Sequence, residues 1–81
     1  MTNLTVGDVY AVSTGTYLGE FFVLMKSDKK NNYFLSLPKM INRTIDHVKV
    51  KRAIETGILE FQENLPEHIM KVCKEQYKQT K

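Results

Sequence analysis

The chain has 81 residues, 42% hydrophobic and 26% charged, with four tyrosines, four phenylalanines and a formal net charge of +3. That composition excludes disorder as the default state and leads us to expect one domain over residues 1–81, near the lower size limit for a core without metals or disulfides. The longest apolar run, Phe21 to Met25, falls far short of the ~20 residues a spanning helix needs, so no membrane partner is expected.

Residues 6 to 13 read as a turn at Gly7-Asp8 leading into a strand built on Val9, Tyr10 and Val12. Thr14-Gly15 breaks the run. Residues 16 to 26 alternate as a second strand with two largely apolar faces, Gly19 serving as a bulge or bend. Ser27 to Asn32 is a polar hairpin tip, and Tyr33 to Leu37 a third strand ended by Pro38. These opening residues, with the Gly7-Asp8 turn and the breaks at Gly15 and Gly19, resemble the start of small SH3-like barrels over about forty residues. The resemblance implies a curled antiparallel sheet and carries no function, because one fold hosts unrelated partners.

After Pro38 the period changes. Thr44 or Asp46 is placed to cap a helix running to about Thr56, with Gly57 at its end. The competing reading is a strand, since His47 to Lys51 alternates with period two. Ile58 to Gln62 reads as a short fourth strand with Ile58 and Phe61 toward the core. A last helix follows Pro66, its apolar stripe being Ile69, Val72, Cys73, Gln76 and Tyr77; Lys71, Lys74, Glu75 and Lys78 face out and the last three residues fray. The fold class expected is therefore α+β: a small curled antiparallel sheet of three to four strands packed with two helices, the last C-terminal.

Charge is unevenly distributed. Residues 26 to 52 hold eight of the twelve cationic side chains, Lys26, Lys29, Lys30, Lys39, Arg43, Lys49, Lys51 and Arg52, against only Asp28 and Asp46. Clustered cations beside aromatic strands suit phosphate tracking, so these eight and Tyr33 form the candidate nucleic-acid surface. Ten lysines to two arginines favour non-specific contact, lysine being a solvated point charge without the bidentate fork. The same bias suits an AT-rich coding genome, such as that of a low-GC bacterium or one of its phages. Tyr17 and Tyr33, beside turns, are the aromatics best placed for exposure; most of the others are needed for packing.

Enzyme chemistry finds no support in the spacing of residues. There is no Gly-rich phosphate loop, nucleophile elbow or paired-acid motif, and no cofactor or metal is expected. His68 and Cys73, five apart on a helix, point away from one another, so they do not form a ligand pair. His47 reads as a neighbour of a helix cap and Cys73 as an inert buried thiol. With one cysteine and no leader-type opening, a reducing, cytoplasmic setting is expected, and the acceptor-like Asn3-Leu4-Thr5 and Asn42-Arg43-Thr44 are chance matches. Glu55, Glu60, Glu63 and Glu67 form an acidic patch able to complement a second copy, and a homodimer or bound partner would supplement a core this small.

The leading expectation is thus a small non-enzymatic binding protein that engages nucleic acid, or a nucleic-acid-bound complex, through a basic surface. Its rival is a protein-interaction regulator or inhibitor, phage-encoded, that docks on an acidic surface of a host or cellular enzyme. Phe22, Leu24, Phe34 and Ile41 would then form the apolar contact.

Overall fold

A computed structural model describes residues 4–79. Its central strand, β2 (Phe21–Ser27), explains the layering. Phe22 and Leu24 point to one face and Val23 and Met25 to the other, and all four are buried. An apolar run without a polar face must be covered on both sides, and the chain supplies a helix for each. The other elements are β1 (Asp8–Val12), β3 (Asn31–Leu37), β4 (Ile41–Asp46), α1 (His47–Glu55), β5 (Leu59–Asn64) and α2 (Glu67–Gln79).

The five strands form one antiparallel sheet in the order β4-β3-β2-β1-β5. The first four run as a meander. α1 then carries the chain across one face from the β4 border to the β5 border, where β5 pairs with β1. On the α1 face Val50 packs among Tyr10, Val12, Phe22, Leu24, Phe34 and Leu59. On the other, Met70 and Cys73 of α2 pack on Val9, Val23, Met25 and Leu35.

Several sequence expectations are corrected here. There are five strands rather than three or four, and β4 and β5 remain open borders, so the SH3-like expectation is matched only roughly: the meander is present, the barrel closure is not. The additional strand is Ile41–Asp46, a segment in which the sequence pattern predicts only a helix cap, at Thr44 or Asp46. β2 starts at Phe21, because Gly15 and Gly19, at φ 93° and 90°, build a separate turn that L-residues would strain to form. The strand irregularity lies at Met25, not Gly19. β5 runs two residues further than expected and buries Leu59, leaving Ile58 and Phe61 exposed. In α2 the inward stripe is Met70, Cys73 and Tyr77, while Ile69 and Val72 face out.

Phe22, Leu24 and Phe34, the proposed apolar docking surface, are at most 2% exposed; of that group only Ile41 reaches solvent. The surface disappears because α1 covers the face that a one-sided sheet would have left open.

Both helices carry legible ends. Asp46 caps α1, its carboxylate accepting the Lys49 N–H at 2.8 Å. At the other end Gly57 sits at φ 80°, and the Gly57 and Ile58 N–H groups donate to the Ile54 and Ala53 carbonyls, the paired bonds of a Schellman stop. In α2 the Pro66 carbonyl accepts from the Ile69 and Met70 N–H groups, consistent with a start at proline. Thr80 and Lys81, at the expected frayed end, and Asn3 of the first acceptor match lie outside the described residues. Among the described residues no helix is long and apolar enough to cross a membrane.

Candidate functional site

The β2–β3 turn is built by Asp28. Its Oδ1 accepts the N–H groups of Lys30 and Asn31 at 2.9 and 2.7 Å, and its Oδ2 accepts the Tyr33 hydroxyl at 2.6 Å. The Tyr33 bond first, then the two N–H groups, pull the Asp28 carboxyl down to about 2. This closed turn presents Lys29 and Lys30 to solvent.

His47, the first residue of α1, ties that turn to the helix. Its N–H donates to the Lys30 carbonyl at 3.0 Å and its ring Nε2 lies 2.6 Å from the Asp28 carbonyl oxygen. Its Nδ1 is 3.1 Å from the amide Nδ2 of Asn32, whose Oδ1 accepts the Ser27 hydroxyl. A carbonyl only accepts and an amide nitrogen only donates, so the proton sits on Nε2. The turn and the helix start are thereby held as one unit.

Lys30, Lys49 and Arg52 consequently border one groove of about 430 Å³, together with Asp46 and Val48. Lys29 adjoins it in the turn. These four cations outnumber the two carboxylates nearby, Asp28 and Asp46, and both carboxylates are committed to backbone N–H groups. None of the four is ion-paired among the described residues. The first turn of α1 carries no acidic residue, so it is the Asp46 cap that meets the positive end of the helix.

The remaining candidates lie elsewhere. Lys26 covers the Tyr33 ring at 4.9 Å, which leaves Tyr33 engaged on one face by an ammonium and at its hydroxyl by Asp28. Lys39 is in the β3–β4 turn, at the opposite end of the strands. Lys51 lies two residues from Lys49 on α1, about 200° around the helix, and so projects from the far flank.

Arg43 is internal to a second cluster. It pairs with Glu20 at 3.3 Å and stacks over the Tyr17 ring at 4.0 Å. Glu20 also accepts the Ser36 hydroxyl, and this bond first, with Arg43 behind it, lowers its pKa despite burial. The Nε of Arg43 is buried without a partner, a cost that the ion pair and the stacking offset. Neither Glu20 as an internal acid nor His47 as a pin carries a local signal; an Asp followed by polar turn residues is the one pattern that could have singled out Asp28.

Cys73 is buried and its thiol is raised by that burial, in keeping with an inert role. His68 is exposed, and Glu55, Glu60, Glu63 and Glu67 are all exposed, Glu60 and Glu63 on the β5 border. Among the described residues no group of three or more His, Cys, Asp or Glu side chains is placed to hold a metal ion. Comparison of the chain with protein-family models, with curated proteins and with solved structures returns no match.

Proposed function

We propose that this protein is a small non-enzymatic binding module of the cytoplasm that holds nucleic acid, or a nucleic-acid-bound complex, through phosphate contacts at the corner between the β2–β3 turn and α1. The observation that supports this reading is the convergence of Lys30, Lys49 and Arg52 on one groove, with the exposed Lys29 next to Lys30 in the turn and none of them ion-paired among the described residues. Contact would be with the backbone of the polymer rather than with base edges. Three of the four cations are lysines, and phosphate contacts fix position without reading sequence.

The test is a titration against duplex and single-stranded oligonucleotides across a salt series. Four phosphate contacts give a slope of about −3.6 in log K against log salt on duplex, a loss of roughly 10²-fold between 50 and 200 mM. The triple change Lys30→Glu, Lys49→Glu and Arg52→Glu should abolish binding. No binding to either polymer at about 100 mM salt would overturn the reading.

A further inference from the structure

The basic corner does not account for a second opening, a cleft of about 220 Å³ on the α1 face of the sheet. Val12 and Phe22 form its floor, Val50 and Ala53 the helix wall, Ile58 one end and Tyr17 the loop wall. It stays open because small residues stand where large ones would fill it: Ala53 on the helix, and Gly15 in the loop, where an added Cβ would meet nothing within 4 Å.

The walls are fixed before any ligand arrives. Phe22 and Val50 belong to the core, at 2% and 1% exposure. Tyr17 is held between the Arg43 guanidinium at 4.0 Å and the Phe22 ring at 6.0 Å. A pocket already formed avoids the ordering cost that weakens many contacts.

Its size and chemistry narrow the occupant. A dry apolar cavity of about 150 Å³ accepts benzene, while cofactor and drug-sized sites run from about 300 Å³ upward. The cleft therefore suits one aromatic or branched aliphatic side chain. A nucleobase fits poorly, since its donors and acceptors would be left unpaired against an apolar lining.

No charged side chain of either sign lines the cleft, and the charge beside it is cationic. Lys49, one turn before Ala53 on the same flank of α1, and Arg52, next to Ala53, line the adjacent groove, and Arg43 stands behind Tyr17. Glu20, the acid nearest Arg43, is already paired with it.

We propose that this cleft receives one bulky apolar side chain projected from an acidic segment of a partner protein, the side chain acting as anchor and the flanking acids meeting Lys49 and Arg52. The inference uses a different opening from the nucleic-acid reading and shares Lys49 and Arg52 with it; the apolar anchor survives the loss of that reading.

The test is an amide-shift titration of the full chain with a capped acidic peptide carrying Asp on both sides of a single central Phe, and with the same peptide carrying Ala there. The Phe peptide should move the amides of Gly15, Tyr17, Ala53 and Ile58 and bind at least about tenfold more tightly than the Ala peptide. Ala53→Met, which fills the cleft from the helix, should remove that advantage. Thr16→Trp fills it from the exposed loop and gives the same reading should the helix variant fail to fold. Lys39→Glu, remote from the cleft, should leave the advantage intact. Equal binding of the two peptides, or no shift at about 1 mM peptide, would overturn the proposal. So would a thymidine oligonucleotide that moves the amides of Gly15, Tyr17 and Ile58, which lie away from Lys49 and Arg52 and would assign the opening to a base.

Discussion

The Nε2 of His47 lies 2.6 Å from the backbone carbonyl oxygen of Asp28, joining residues nineteen apart in sequence at the start of a helix and the tip of a hairpin. On the other side of the ring, the Asn32 amide has no exposure and depends on His47 Nδ1 as a partner. His47→Ala should therefore cost about 1–3 kcal/mol, the range for leaving a buried polar group unsatisfied. For a domain of this size each kcal/mol lowers the melting temperature by about 4–8 °C, so thermal denaturation reads the effect directly.

Acid should weaken the fold through two carboxylates. Glu20 has a lowered folded pKa, so its contribution is complete above its ordinary value of 4.5 and is lost as pH falls through the lowered one. Asp28, moved from 3.8 to about 2, adds a loss as pH falls between those two values. Urea midpoints followed from pH 6 downward should decline, and Asp28→Asn should flatten the part of the decline between 3.8 and about 2.

Glu20→Ala should cost roughly 2–3 kcal/mol. That is less than the 3–5 kcal/mol of a fully buried pair, because the Arg43 side chain remains 22% exposed and recovers some hydration. A denaturation series comparing Glu20→Ala with the double variant Glu20→Ala, Arg43→Leu checks this. The double variant should be the more stable, since it leaves no uncompensated guanidinium.

On the alkaline side, burial first and the neighbouring Asp8 second push the Tyr10 phenol from 10.0 up to about 12. A raised folded pKa stabilises the fold fully below 10 and ceases to do so as pH rises through about 12. Phenolate absorbance should show Tyr10 titrating near 12 and Tyr33 also late, raised by its bond to Asp28, and Tyr10→Phe should remove the step near 12.

The register of β5 separates two substitutions. Leu59→Ala removes a side chain that is 4% exposed and should cost about 2–5 kcal/mol. Phe61, 57% exposed and touching Tyr10 edge-on at 5.8 Å, should tolerate alanine at about 1 kcal/mol. Chemical denaturation of the two variants measures the order.

Single charge reversals should sort the basic residues by place. Lys30→Glu or Lys49→Glu should reduce the magnitude of the salt slope on duplex by about 1 each, whereas Lys39→Glu and Lys51→Glu should leave it nearly unchanged.

The local signals in the sequence were reliable where chemistry is local. Gly57 marked the end of α1, Pro66 the start of α2 and Pro38 the end of β3, and of the two cap candidates, Thr44 and Asp46, the structure uses Asp46. What failed depended on partners distant in the chain. Residues 41–46 became a strand because β3 offered a free ladder edge, an influence that no pattern within that segment reveals. The two apolar faces of β2 do mark a central or strongly curved strand; Phe22 and Leu24 read as surplus only under the protein-docking alternative, because the helix that covers them comes twenty residues later.

The same limit applied to the site. Eight cations in one stretch were plain, but their destinations were not: a turn closed by Asp28 sent Lys29 and Lys30 toward α1, the meander sent Lys39 to the far end, and Glu20 drew Arg43 inward. The helical period alone was enough to part Lys49 from Lys51.

Because α1 spans the sheet from border to border, β1 leaves the ribosome well before the outer neighbour that it pairs with. Tyr10 pairs with Phe61, a delay of about fifty residues, or roughly 3–10 s at ordinary ribosomal speeds. For that interval the nascent chain displays an unfilled backbone edge, which makes its own synthesis the most aggregation-exposed period in its life.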